Sequence, residues 1–247
     1  MAALEGGRAA VATSSGMAAE MTAILTLLQA GDHIVAAKSL YGGTHTLLTV
    51  NLPKLGIDCT LVDSDDPDAY AAAITDRTRL VYAEALGNPG INVLDISAVA
   101  EVAHAAGLPL MIDATFATPY LCRPIEHGAD IVVHSATKYI CGHGSSIGGV
   151  IIESGTFPYD NGKFDCMTEP SPGYHGVRFY ETFGSFGFTM KARCEMLRTF
   201  GACASPFNSW TFLQGLETLH VRMDRHCENA MAVARHLDAH PLVTWVN

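Results

Sequence analysis

The sequence predicts an α/β fold, a mostly parallel sheet of seven strands covered by helices on both faces. Three observations predict it. Short apolar runs alternate with helical patterns over roughly the first 153 residues. Several of the runs are apolar throughout, as in strands buried on both faces. Glycines stand where the intervening helices should stop.

The strand-like runs are Ala10–Thr13, His33–Ala37, Cys59–Val62, Leu80–Glu84, Leu110–Asp113, Ile131–His134 and Val150–Ile152. Amphipathic segments at Met17–Gln29, Thr44–Leu55, Pro67–Ile74 and Ile96–Ala106 read as helices, with Gly31, Gly56 and Gly107 at their ends. From about residue 154 to 190 glycine, proline, phenylalanine and tyrosine dominate, which reads as long loops near a site. Phe157, Phe164, Phe179, Phe183, Phe186 and Phe188 are too many for a solvated loop set and are expected to face a partner surface. After Lys191 the pattern is helical again, through Trp210–Leu219 and Met223–Leu237, and Val246–Asn247 reads as the start of a further strand.

With 247 residues the chain can bury one large domain, or one domain and part of a second. Apolar residues make up 49% and charged residues 16%, which argues against disorder. A formal net charge of -10 argues against nucleic-acid binding, which needs Lys and Arg to neutralise phosphates. The seven cysteines are odd in number and form no C-x-x-C, so a reducing compartment, the cytoplasm, is expected. No apolar run is long enough for a bilayer span, so no membrane partner is expected.

Ligands of open α/β sheets bind outside the carboxyl ends of the strands, and three such ends carry chemistry. Thr13-Ser14-Ser15-Gly16-Met17 runs from a strand into a helix. Small residues there let backbone N–H groups reach an anion, and the helix N-terminus adds partial positive charge. Ser-Ser-Gly before a helix is also an ordinary N-cap. Asp113 closes the apolar run Leu110–Ile112, where a carboxylate needs a cation. A protonated pyridine nitrogen would be one; a capped turn is the common alternative for a lone Asp. In Ile131-Val132-Val133-His134-Ser135-Ala136-Thr137-Lys138, two hydroxyls that suit phosphate precede a lysine at a strand end. Desolvation and a neighbouring cation favour the neutral, nucleophilic amine. A lone strand-end lysine is more often a snorkelling surface residue, but the three ends together favour a site. Gly142, Gly144, Gly148 and Gly149 follow and permit close backbone approach. Tyr41, before Gly42-Gly43, is a platform for a flat ring or else an exposed loop tyrosine. His134 and His143 have no metal-motif spacing and no nearby Cys or carboxylate, so they read as packing or hydrogen-bonding residues and no metal is expected.

The strings Ala12–Met17, Ser39–Gly43, Asp113–Pro119 and His134–Lys138 with Gly142-His143-Gly144 resemble the Cys/Met metabolism enzymes that depend on pyridoxal 5'-phosphate (PLP). The resemblance covers essentially the whole chain and implies the large domain of a fold-type I PLP-dependent transferase. By resemblance, Lys138 is the Schiff-base lysine and Asp113 holds the ring nitrogen. Ser15, Gly16, Met17, Ser135 and Thr137 bind the phosphate. Tyr41 stacks on the ring and assists leaving-group departure, Asn88 lies near the cofactor 3-oxygen and Thr115 beside the ring. Ala114 stands where many members have Asn, a change expected to be tolerated.

Tyr174-His175-Gly176-Val177, Lys191-Ala192-Arg193, Gly201–Asn208 and Leu213–Thr218 are similar to the sulfhydrylase branch of the family. The implied reaction is γ-replacement: O-acetyl-L-homoserine plus sulfide gives L-homocysteine plus acetate. A γ-lyase or cystathionine γ-synthase is the alternative within the same chemistry, and a non-catalytic core that only folds and associates is the alternative outside it. The resemblance also implies a homo-oligomer, a tetramer built as a dimer of dimers. It divides the chain into a PLP-binding large domain, 1–220, and a helix, 221–247, leading into a small domain. Family members carry an upstream Tyr and Arg that reach the neighbouring subunit's phosphate, and a downstream Arg that holds the substrate carboxylate. Both lie outside these residues, so a truncated form with little turnover of its own is expected.

Overall fold

The expected apolar runs form one seven-stranded sheet in the order β1-β7-β6-β5-β4-β2-β3. A computed structural model describes residues 1–63 and 65–246. The strands are β1 (Ala9–Thr13), β2 (His33–Ala37), β3 (Asp58–Val62), β4 (Thr78–Glu84), β5 (Leu110–Asp113), β6 (Ile131–Ser135) and β7 (Gly149–Glu153). Pairing is parallel from β3 through β2, β4 and β5 to β6. β7 runs antiparallel to both β6 and β1. Every residue of β2 and β7 is buried, which requires cover on both faces of the sheet.

The helices that matter to the site are α1 (Ala2–Glu5), α2 (Gly16–Leu27), α3 (Gly42–Thr46), α4 (Pro67–Ala73) and α5 (Ile96–Ala105). α2 packs on β6 and β7, α4 on β2 and β3, and α5 on β5. The expected helix over 44–55 begins as α3, continues as a π turn at Leu47–Asn51 and tightens to a 3-10 turn at Leu52–Leu55. Pro53 lacks an N–H, so a regular ladder cannot persist through it. Gly56 and Gly107 adopt φ of 78° and 65°, the left-handed conformation that ends a helix cheaply. α2 ends two residues earlier than expected. Leu28 is already extended, and the Gln29 N–H donates to Asp32 Oδ2 at 2.8 Å.

The segment 154–190 corrects the sequence reading. It holds short helices at Asp165–Thr168, Phe179–Phe183 and Gly187–Lys191, and its aromatic residues are core rather than partner surface. Phe157, Phe164, Phe179 and Phe188 are buried, with Phe157 and Tyr159 packed edge-on against Phe164 at 5.6 Å and 5.4 Å between centroids. Phe183 is half-buried against the same core, and exposed Phe186 carries the Arg8 guanidinium 4.2 Å above its ring. Most of these apolar side chains satisfy one another within the chain, so they are not themselves an argument for a partner surface. The segment lines no part of the cavity described below. Val246 is irregular rather than strand, and Asn247 lies outside the described residues.

All seven cysteines are free thiols. Among the described residues no helix is long and apolar enough to cross a membrane, and no group of three or more His, Cys, Asp or Glu side chains is placed to hold a metal ion.

Candidate active site

The carboxyl ends of β4, β5 and β6, the N-terminus of α2 and the start of α3 surround a cavity of about 340 Å³. That volume suits a small ligand or cofactor. Ser15, Gly16, Met17, Tyr41, Asn88, Asp113, Thr115, Ser135, Thr137 and Lys138 line it, together with Glu20, Glu84 and Phe116. The ten residues that the resemblance assigns to the cofactor therefore meet in one place.

Local structure explains how they arrive there. Ser15 is the N-cap of α2, its hydroxyl accepting from Ala18 N at 3.0 Å. Gly16 is needed for close approach, since a Cβ there would stand 2.7 Å from Ser135 Cβ. Its absence lets the helix N-terminus sit directly on the end of β6, so donors of two elements converge. Thr115 ties β5 to β6: its hydroxyl accepts from Ser135 N at 2.7 Å, while its own N–H donates to Asp113 Oδ1 at 2.8 Å. The Thr137 hydroxyl lies 3.3 Å from Gly148 O and 3.2 Å from Gly148 N, which fastens the residue before Lys138 to the glycine-rich return. Tyr41 is half exposed, and its backbone N–H donates to Glu84 Oε1 at 2.5 Å.

The electrostatics of the cavity floor are acidic. Burial raises the Asp113 carboxyl above the usual carboxylate range, against the opposing pull of Thr115 and the His134 ring. Burial likewise pushes Glu84 up to about 8, opposed by the Tyr41 N–H and reinforced by the Asp113 charge. Glu20 rises to about 8 through burial and then Asp113. A buried carboxylate held above its normal range is a group waiting for a cation.

The residues fit PLP by the chemistry of their donors. A helix N-terminus with hydroxyls suits the phosphate, Asp113 suits a protonated ring nitrogen, and Lys138 supplies the primary amine.

Three lining residues went unmarked in the sequence. Glu84 closes the apolar run of β4 as Asp113 closes that of β5, so the argument that found one would have found the other. Glu20 lies one turn beyond Gly16 on α2, and helical phase alone places it over the same cavity. Phe116 carries no such signal. His134 also differs from expectation in one respect. A carboxylate does meet it, from far along the chain: Glu5 of α1, 2.5 Å from Nε2, with both side chains fully buried. His143 Nδ1 lies 2.7 Å from Cys141 O, a local backbone contact.

This fold and this cavity define a PLP-binding enzyme core of fold type I. The chain belongs to the Cys/Met metabolism PLP-dependent enzyme family, which matches it over residues 1–247. It is 54% identical over 255 residues to the O-acetyl-L-homoserine sulfhydrylase of Leptospira meyeri, covering 100% of this chain and 58% of that protein. It is 53% identical over 250 residues to the homocysteine synthase of Schizosaccharomyces pombe, again covering 100% of this chain and 58% of the other. A solved structure of a putative O-acetylhomoserine (thiol)-lyase from Campylobacter jejuni superposes with a TM-score of 0.94 at 37% identity, over 97% of this chain and 60% of that one. That structure carries a pyridoxyl-lysine phosphate. The chain thus spans about 58% of the length of these curated relatives.

Proposed function

We propose that this chain is the cofactor-binding core of an O-acetylhomoserine sulfhydrylase, a transferase that converts O-acetyl-L-homoserine and sulfide to L-homocysteine and acetate. The observation that carries the proposal is the single cavity holding Lys138, Asp113 and the Ser15–Met17, Ser135 and Thr137 donor set. Identity above half to named sulfhydrylases and homocysteine synthases supports the choice of reaction.

PLP, when bound, supplies an electron sink for the carbanions that the reaction requires. Lys138 Nζ would hold it and would carry protons between the substrate carbons. Asp113 would keep the ring nitrogen protonated. The α2 N-terminus with Ser15, Gly16, Met17, Ser135 and Thr137 binds the phosphate and fixes the ring's position. Tyr41 would cover the ring and assist departure of acetate. Asn88 and Thr115 would flank it.

Residues 1–220 act as the large domain and 221–247 lead toward a small one. A second copy of the chain is the proposed partner, in a homo-oligomer of the tetrameric kind. The free state of all seven cysteines supports the cytoplasm as its compartment.

The test is borohydride reduction of the chain with PLP, peptide mapping, and an assay for homocysteine. Label at Lys138 together with homocysteine formation by the full-length relative bearing this core is the expected result. Label at Lys38 or Lys191 overturns the site, and Lys138 label without γ-replacement overturns the reaction.

A further inference from the structure

Three carboxyls meet on the floor of the cavity, each from a different element: Glu20 from α2, Glu84 from β4 and Asp113 from β5. Glu20 and Glu84 are 3% and 7% exposed. Carboxylates this close and this dry do not all ionise, so their surroundings decide which one keeps a proton.

The donors are unequally shared. Asp113 accepts the Thr115 N–H at 2.8 Å and has the His134 ring near it. Glu84 accepts the Tyr41 N–H at 2.5 Å. Of donors, Glu20 has only neutral hydroxyls near it, Thr44 Oγ1 donating to Oε1 at 2.9 Å and Tyr82 lying outside hydrogen-bond geometry. Its second oxygen, Oε2, is buried without a hydrogen-bond partner. Beside it stands the Tyr82 hydroxyl, also buried and unpartnered, whose own ionisation is opposed first by burial and then by Glu20. An unpartnered oxygen is the costliest place to leave a negative charge and the natural place for a proton.

We propose that Glu20 is a positioning residue which holds the proton of this three-carboxyl corner, so that Asp113 meets the cofactor's ring nitrogen as the anion. The proposal rests on the reading of the cavity as a PLP site. The groups that bear on Glu20 are Asp113 and Glu84 as charges and Thr44 and Tyr82 as hydroxyls. His134 bears on Asp113 from β6, and Lys138 lines the same cavity. The raised proton affinity of Glu20, first from burial and then from Asp113, runs in the direction the geometry requires. A neutral Glu20 removes one of the charges that Asp113 would otherwise face, so Asp113 has no carboxylate neighbour on α2 to drive a proton onto it.

The experiment compares Glu20→Gln with Glu84→Gln in the full chain at neutral pH. The first readout is the infrared band of a protonated carboxyl, recorded with and without PLP. It should weaken more in Glu20→Gln than in Glu84→Gln, since Glu20 is the carboxyl with an unpartnered oxygen. The second is the nitrogen-15 resonance of ring-labelled PLP bound to the protein. It should remain that of a protonated nitrogen in Glu20→Gln, because a neutral amide repeats a neutral acid. A band that weakens no more in Glu20→Gln than in Glu84→Gln, or a ring nitrogen that loses its proton in Glu20→Gln, overturns the proposal; the latter would mean that Glu20 works as an anion. Thr44→Val gives a second route if Glu20→Gln does not fold. It removes the hydroxyl donor to Glu20, and should move the same band without abolishing it; an unmoved band places the proton elsewhere. Absence of trapping at Lys138 in the wild type would instead refute the PLP reading, while the infrared arm without PLP still decides where the proton sits.

Discussion

Gly149→Ala should damage the phosphate cradle although the residue lines none of the cavity. Gly149 opens β7, paired with Thr13 of β1 on one side and Ser135 of β6 on the other. A Cβ there would lie 2.1 Å from Ser15 O, 2.6 Å from Ser15 C and 2.6 Å from Thr13 Oγ1. Relief to ordinary contact needs a displacement of roughly 1 Å. β7 is held by ladders on both sides, so the Ser15 backbone is what moves. That carbonyl already accepts the Thr13 hydroxyl at 2.9 Å, and Ser15 caps α2.

The cost follows from these contacts. Overpacking of this kind costs about 1–3 kcal/mol, and a disturbed N-cap adds about 1. Phosphate bonds to charged oxygens are worth about 1.5–3 kcal/mol each, so losing one should weaken PLP binding about 10- to 150-fold. Urea denaturation and fluorescence titration with PLP measure the two effects. Gly42→Ala is the control, because a Cβ at Gly42 meets nothing within 4 Å and should change stability by no more than about 1 kcal/mol. Wild-type midpoint and wild-type PLP affinity in Gly149→Ala would refute the claim that Ser15 is pinned by β7.

Asp113→Asn should lower kcat of the full-length enzyme by about 10²–10³-fold while PLP affinity, held by the phosphate contacts, falls less than about tenfold; steady-state kinetics and titration decide. Stability should fall as pH rises from about 4.5 to about 8: folded Glu20 and Glu84 keep their protons to about 8, whereas the unfolded chain releases them near 4.5. Urea midpoints across that window should show the slope, and Glu20→Gln should flatten it and exceed the wild type in stability at pH 8. Glu5→Ala leaves the buried His134 with no partner at either ring nitrogen, since Nδ1 has none already, and should cost about 3–5 kcal/mol by the same measurement. Replacing both residues by leucine should recover part of that loss, and a double variant no better than the single one would count against the pair.

The parts of this molecule that were legible in the sequence are those set by local chemistry. β2 and β5 match the apolar runs residue for residue, and the other strands differ by one or two residues at their ends. An apolar run between helical patterns can be satisfied in few ways, so periodicity sufficed. Lys138, Asp113 and Ser15 were legible because each stands where an element ends, and strand ends converge in a sheet of this kind. The aromatic segment failed for the opposite reason. Phe164 and Phe179 have no periodic company, and only the folded chain reveals that Phe157 and Tyr159 pack on the first and Tyr174 and Phe183 on the second. Glu5 and His134 failed similarly, because 129 residues separate the two side chains that pair.

Glu20 shows where such reading stops. Helical phase places it over the cavity, one turn beyond Gly16, but its neighbours in the chain give no reason to assign it a proton. What defines it is the arrival of Thr44, Tyr82, Glu84 and Asp113 from three other elements. A residue at a strand end owes its position to its own element, so sequence can find it. A residue inside a helix owes its protonation state to whatever packs over it, and that is a property of the assembled sheet. The cavity therefore divides into groups whose identity was written locally, which are proposed to bind the cofactor, and groups whose charge is decided only by tertiary packing, which would set the field the cofactor feels.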